Sequence, residues 1–216
     1  MLRMKIDMHC HVKEGSVDSR VSVEEYITIL KEKGFQGMVI TDHNTYNGYR
    51  YWKEHIKGKR HTDFVVLKGI EYDTRDAGHI LVIMPEGVKM KLLELRGMPA
   101  PVLIDLVHRN GGVLGPAHPC GEKYLSFTNT KRFYKSPELM KRFDFVEAFN
   151  CCESPESNDG AMKLAEKYLG VSLVEEKELI FLAKANYGHL RLQVAFFWFF
   201  TESWGIEKRA VLQLYI

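Results

Sequence analysis

The stretch IDMHCHV, residues 6–12, carries an aspartate and two histidines at alternate positions. Along a β-strand, side chains at i, i+2 and i+4 share a face. Asp7, His9 and His11 therefore point one way, and Met8, Cys10 and Val12 the other. Polar groups gathered on one face need partners, because burying them unpaired is costly. Two readings follow. One is an exposed strand face that happens to hold histidines; the other is a metal site, since neutral imidazole is the commonest metal-binding side chain. The stretch alone leaves both open.

Further imidazoles and carboxylates fall at the ends of apolar runs. His43 ends GMVITDHN (37–44), Glu71 lies late in FVVLKGIEYD (64–73), and His118 ends VLGPAHP (113–119). His79 opens HILVIM (79–84), and Asp18 follows the first run in a loop. Parallel α/β folds place their chemistry at the carboxyl ends of strands, and a multinuclear metal site requires several such groups at successive strand ends. For any one residue, a surface or hydrogen-bonded histidine is the ordinary account. For all of them together it is the weaker one. His55, His61 and His108 read as surface residues, Cys10 as a core cysteine and Cys120 as a lining residue. Asp42 reads equally well as a group orienting the adjacent imidazole and as a strand-end cap.

The elements that must position these residues alternate between apolar strands and amphipathic helices. Ser22 and Glu25 form a Ser-x-x-Glu capping box that opens a helix, and Gly34 closes it. A second helix is expected over 46–56, and a third from Pro101 to the Gly111-Gly112 pair. FDFVEAFN (143–150) reads as another strand, followed by a helix ending AEKYLG and the strand VSLV (171–174). The alternation implies an α/β fold with a largely parallel sheet. This pattern alone does not separate a barrel from an open sheet.

With 216 residues, 45% apolar and 27% charged, the chain suits one soluble globular domain. A net charge of +2 gives no electrostatic case for nucleic acid or an anionic membrane as the main partner. No signal peptide is visible. The longest apolar run, VAFFWFF, falls far short of the ~20 residues of a membrane-spanning helix. The four cysteines show neither paired zinc-knuckle spacing nor a secreted disulfide framework. A reduced, cytoplasmic setting is expected.

In order and spacing these motifs resemble the PHP family, the polymerase and histidinol phosphatase superfamily of metal-dependent phosphoesterases. The first family motif is matched by Asp7-x-His9-x-His11 with Asp18, the next by ITDHN with His43, and those after it by KGIEYD with Glu71, AGHILVI with His79 and GPAHP with His118. VEAFN matches the run-up to the last motif. The resemblance covers about residues 4–174 and implies a distorted (β/α)7 barrel with two or three divalent metals at the strand ends. It implies that His9, His11 and Glu71 hold a first metal, that Glu71 bridges to a second held with His79 and His118, and that Asp18 and His43 serve a third. Glu71 and His118 are the residues it gives a catalytic part. Mixed imidazole and carboxylate ligands suit zinc, manganese or iron, and the implied reaction is phosphoester hydrolysis by hydroxide generated on the metals. The implied partner is a small phosphorylated molecule or a nucleotide. Arg50, Arg75 and Lys123 lie in loops that could reach a phosphate, although surface charge is the ordinary role of each.

The chain departs from the family after Val174. The expected Gly-Ser-Asp-Ala-His-like motif is replaced by Glu175-Glu176-Lys177-Glu178, which reads as the opening of a helix. Residues 1–174 are thus read as the metal-binding barrel, altered at its C-terminal end, and 175–216 as an atypical tail. A reading-frame change near residue 175 is one explanation; a divergent terminus with His189 as a substitute ligand is another. Beside the phosphoesterase stand two alternatives: a metal-binding barrel with impaired catalysis, and a metal-dependent hydrolase of a non-phosphate bond.

Overall fold

The computed structural model describes residues 5–122 and 125–169, together with the backbone of three later strands, Phe181–Tyr187, Leu190–Phe197 and Val211–Tyr215. The expected strand at 171–174, the charged residues 175–178, Lys123 and His189 lie outside the described residues.

Five strands form one curled sheet of the half-barrel kind in the order β1 (Ile6–Cys10), β2 (Gly37–Ile40), β3 (Val65–Asp73), β4 (His79–Ile83) and β5 (Val113–Pro116). β1, β2 and β3 pair in parallel, whereas β4 is antiparallel to both β3 and β5. Four strands therefore run the same way and β4 alone is reversed. The short turn 74–78 explains the reversal, since a parallel return needs a crossover of a dozen residues or more. Gly78, with φ +72°, makes the turn possible; a Cβ there would lie 2.0 Å from the Leu125 carbonyl oxygen.

The helices match the sequence pattern closely. α1 (Val23–Glu32) has both bonds of the Ser22–Glu25 capping box, and Gly34 follows it with φ +76°. α2 (Asn47–His55) and α3 (Ala100–Arg109) lie where periodicity places them, with Pro101 in the first turn of α3. Short α4 (Lys131–Lys135) and long α5 (Pro155–Leu169) complete the described helices. Val23, Ile27 and Leu30 of α1 pack with Tyr49 and Trp52 of α2 against Met38 and Ile40. Leu103, Ile104 and Val107 of α3 join Ile80, Val82 and Leu114 in a second, larger cluster. Burying each such side chain contributes ~1.5–3 kcal/mol.

One expectation is corrected. FDFVEAFN is not a strand of the sheet. It runs beside β5 through only two backbone bonds, Asp144 N to Leu114 O at 2.9 Å and Glu147 N to Pro116 O at 3.3 Å, too few to make a ladder. Beyond residue 180 the described backbone is extended: β6 (Phe181–Tyr187), β7 (Leu190–Phe197) and β8 (Val211–Tyr215) form an antiparallel sheet. Among the described residues no helix is long and apolar enough to cross a membrane.

Asp42 ties the first two strand ends together. Its carboxylate accepts from Val12 N at 2.9 Å and from Gly48 N at 3.1 Å, so it caps α2, whose N-cap residue Tyr46 supplies no side-chain bond. It accepts no hydrogen bond from an imidazole, which settles its two readings in favour of the cap. Burial pushes its carboxyl upward, although the bond from Val12 and the charge on His11 oppose this. Asp42→Ala strands two amide donors at ~1–3 kcal/mol for each one left buried. Denaturant unfolding is expected to show a loss of about 2–4 kcal/mol for Asp42→Ala and a smaller loss for Asp42→Asn, which keeps one acceptor. An alanine variant as stable as the parent would show that these bonds do not hold the two loops.

Candidate metal centre

Because β1, β2, β3 and β5 run together and β4 runs against them, one edge of the sheet collects five imidazoles. His9 ends β1 and His11 follows it; His43 follows β2, Glu71 lies near the end of β3, His79 starts the reversed β4, and His118 follows β5. The β1–β2 register shifts between Asp7 and Cys10, the kind of irregularity that re-aims side chains beside functional sites. Met8, Cys10 and Val12 are buried in the core, as the alternation requires. His43 is held by backbone: its amide donates to Ser16 Oγ at 3.1 Å, and it forms an isolated parallel bridge with Glu71. His118 has φ +28°, a strained geometry for a non-glycine residue of the kind found at functional sites.

Glu71 is the centre of the arrangement, its side chain only 2% exposed. One oxygen, Oε2, lies 3.0 Å from His9 Nε2, 2.8 Å from His11 Nε2 and 3.4 Å from His43 Nε2. The other, Oε1, lies 3.0 Å from both His79 Nδ1 and His118 Nε2. Among the described residues every ion-pair partner of Glu71 is an imidazole. Burial opposes its ionisation, yet the charge of His9 and bonds from His11, His118 and His79 outweigh it and hold the carboxyl well below the usual range.

The outward nitrogens have partners of their own. Glu147 Oε1 lies 2.9 Å from His9 Nδ1, and its second oxygen accepts from the His118 amide. Asp18 Oδ2 lies 3.0 Å from His11 Nδ1 and 3.5 Å from His43 Nε2. Asp73 Oδ1 stands between His43 Nδ1 at 3.5 Å and His79 Nε2 at 3.4 Å, and Ser126 Oγ is 3.4 Å from His118 Nδ1. Carboxylates on the outer nitrogen fix the ring tautomer and orientation. Burial lowers His9's affinity for a proton, but Glu147 and Glu71 override it and raise the imidazole well above its ordinary range. Burial likewise opposes ionisation of Glu147, and His9 reverses the effect. His43 is raised first by its bond to Asp73, against burial; Asp73 is correspondingly lowered despite its own burial, chiefly by His43.

These shifts describe a cluster that attracts positive charge, and the donor geometry suits cations. His9 Nε2 and His11 Nε2 face each other at 3.1 Å while both approach the same Glu71 oxygen. His79 Nδ1, 3.0 Å from Glu71, and Asp73 Oδ1, 3.5 Å from His43 and 3.4 Å from His79, are both buried in contacts too poorly aligned to make full hydrogen bonds. Donor atoms converge in four sets: His9–His11–Glu71, His11–Asp18–His43, His43–Asp73–His79 and Glu71–His79–His118. All the strand-end residues singled out in the sequence thus meet at one place. His55 and His108 are exposed, and His61 lies apart against Glu24. Arg50 is engaged by Glu94 at 2.7 Å. Sequence reasoning missed Glu147 and Asp73. VEAFN carried the only signal for the first, a carboxylate inside an apolar run, and alternation from Glu71 carried the signal for the second.

A family model for the PHP domain matches residues 7–193, which reaches past Val174 into the tail. No curated protein matches the chain in sequence. Among solved structures it is similar to a candidate metal-dependent phosphoesterase from Bifidobacterium adolescentis, with TM-score 0.57 and 14% identity over 76% of this chain and 84% of that one. PsfC from Pseudomonas syringae gives TM-score 0.54 and 15% identity over 78% and 73%. Endonuclease Q, in complex with a duplex bearing an abasic lesion, overlaps more loosely, with TM-score 0.45 and 17% identity over 60% and 41%. At these identities the likeness is one of fold, and the family match covers most of the sequence. The chain belongs to the PHP domain family.

Proposed function

We propose that this chain is a metal-dependent phosphoesterase acting on a small phosphorylated molecule. The observation that carries the reading is the buried Glu71 carboxylate, each oxygen of which faces a different group of imidazoles. His9, His11 and Glu71 would hold one divalent cation, and Glu71, His79 and His118 a second; Asp18 and His43 would contribute to a third. Zinc, manganese or iron suits this mixture of nitrogen and oxygen donors. When bound, such cations supply acidified water as the nucleophile and positive charge for the phosphoryl oxygens. The protein's own part is to hold the donors in place. Glu147 fixes His9 through Nδ1, leaving Nε2 toward the centre, and Asp18 does the same for His11. Glu71 keeps its negative charge in a buried setting, and His118 is held against it by the Glu147 bond to its amide.

Glu71→Gln is expected to remove bound metal and phosphoesterase activity together, as read by elemental analysis and turnover of a phosphoester panel with added manganese. His9→Ala and His11→Ala each lower metal content, whereas Cys10→Ala does not, because Cys10 is buried on the packing side of its strand. Full metal and activity in Glu71→Gln would sink the assignment. Glu147→Gln retains the fold but weakens metal affinity by about 10–100-fold, the usual effect of losing an outer carboxylate. Unchanged affinity in that variant would show that Glu147 does not orient His9.

A second reading, a barrel impaired in catalysis, is favoured by one observation. The sequence after Val174 lacks the Asp-x-His of the family's last motif. On that reading the Glu71–His79–His118 set retains metal best, and turnover is weak. Replacing the residues after Val174 with an ending that contains Gly-Ser-Asp-Ala-His should then raise both metal content and rate. No gain in either would show that the missing motif is not what limits this chain.

A further inference from the structure

Beside the histidine cluster lies a cavity of about 520 Å³ lined by Thr74, Arg75, Asp76, Gly78, Leu125 and, from α4 and its cap, Thr130, Lys131, Arg132 and Lys135. Its size falls within the ~300–1,000 Å³ of small-molecule sites. Its wall is the turn 74–78, whose flanking residues are Asp73 and His79, both in the cluster. The His79 amide donates to Leu125 O at 2.8 Å, so the cavity wall and the metal-facing imidazole share one hydrogen bond. The two sites are thus neighbours along the chain as well as in space.

The charges of the cavity do not balance. Asp76 is its only carboxylate, and that carboxylate is already spent: Oδ2 takes Arg132 Nε at 2.8 Å together with Nη2, and Oδ1 takes the Ala100 amide at 2.9 Å. Arg75, Lys131 and Lys135 remain, and among the described residues none of them has an ion-pair partner. Lys131 and Lys135 are four residues apart on one helix, where like charges repel by ~0.2–0.5 kcal/mol. A bound anion relieves that repulsion. Arg75 adds a planar donor fork suited to phosphate, and the exposed Leu125 gives an apolar surface for the organic part of a ligand.

We propose that this cavity binds a second phosphate of the substrate, so that the chain selects small molecules carrying two phosphates, one at the histidine cluster and one here. The substrate preference rests on the phosphoesterase reading; anion binding in the cavity does not. The test has two arms. In the first, the manganese-supplemented protein is assayed on matched pairs of sugar and nucleoside mono- and bisphosphates. The bisphosphate of at least one pair is expected to have a KM about tenfold lower than its monophosphate. In Arg75→Ala and in the double variant Lys131→Ala/Lys135→Ala, that advantage should shrink about tenfold. In the second arm, pyrophosphate is titrated calorimetrically into chelator-treated protein. The same substitutions should weaken binding about tenfold, and Lys141→Ala, a surface control paired with Glu138, should not. Equal KM values within every pair, or variants that affect both members equally, overturn the substrate preference while leaving the phosphoesterase reading intact. Pyrophosphate binding that ignores Arg75, Lys131 and Lys135 overturns the cavity as an anion site. Residue-dependent pyrophosphate binding without turnover of any phosphoester supports the cavity and removes the phosphoesterase reading instead.

Discussion

A carboxylate buried to 2% exposure is unfavourable unless positive charge or donors surround it, and among the described residues every ion-pair partner of Glu71 is an imidazole. That requirement orders the rest of the sheet. The five imidazoles come from the ends of four strands or the residues just past them, His9 and His11 sharing β1, so the sheet must curl enough to bring its first and fifth strands to the same carboxylate. His79 would stand at the wrong end of a parallel strand. The reversal of β4, made in the five residues 74–78, puts its first residue beside the last residues of β3. The Asp73–His79 register pair is the place where the reversal and the site coincide.

The same constraint accounts for the second ring of acids. Imidazoles crowded around one carboxylate can place protons in several ways, and only some leave a lone pair facing inward. Glu147, Asp18 and Asp73 bias the outer nitrogens and so select the inner ones. Glu147 with His9, and Asp73 with His43, also give opposed ionisation shifts, imidazole upward and carboxylate downward. The cluster is built to hold positive charge, and protons and divalent cations compete for it.

Much of this was legible in the sequence, for identifiable reasons. Alternation in IDMHCHV correctly separated His9 and His11 from Cys10, because a strand buried on one face obeys its period strictly. The capping box of α1 and the first turn of α3 were equally local. What failed depended on tertiary pairing. FDFVEAFN has strand composition, but its contacts with β5, among them two backbone bonds and one from Leu114 N to the Asp144 side chain, do not make a ladder. Glu147 was hidden for the same reason: its role exists only because that segment reaches His9, 138 residues away in sequence, as well as His118, 29 away. Asp42 read equally well as a partner for the adjacent histidine and as a cap, and only tertiary contacts separate the two: its carboxylate takes the amides of Val12 and Gly48.

The two charged features of this edge have opposite sign and share one turn. The histidine cluster concentrates carboxylates that draw cations inward, while the cavity beyond the turn presents Arg75, Lys131 and Lys135 without a compensating acid. Placed farther apart, each would be an ordinary surface property. The turn 74–78 lies between them, so a molecule that spans it would meet the histidine–carboxylate cluster on one side and cationic side chains on the other. Fields of this kind orient a ligand as well as attract it, because reversing the molecule changes which anionic group each side receives. Gly78 keeps that turn tight: its φ of +72° and its contact with the Leu125 carbonyl leave no room for a side chain. The backbone feature that reverses β4, and so delivers His79 to Glu71, is therefore also the wall that sets the spacing between the two anion-receiving positions.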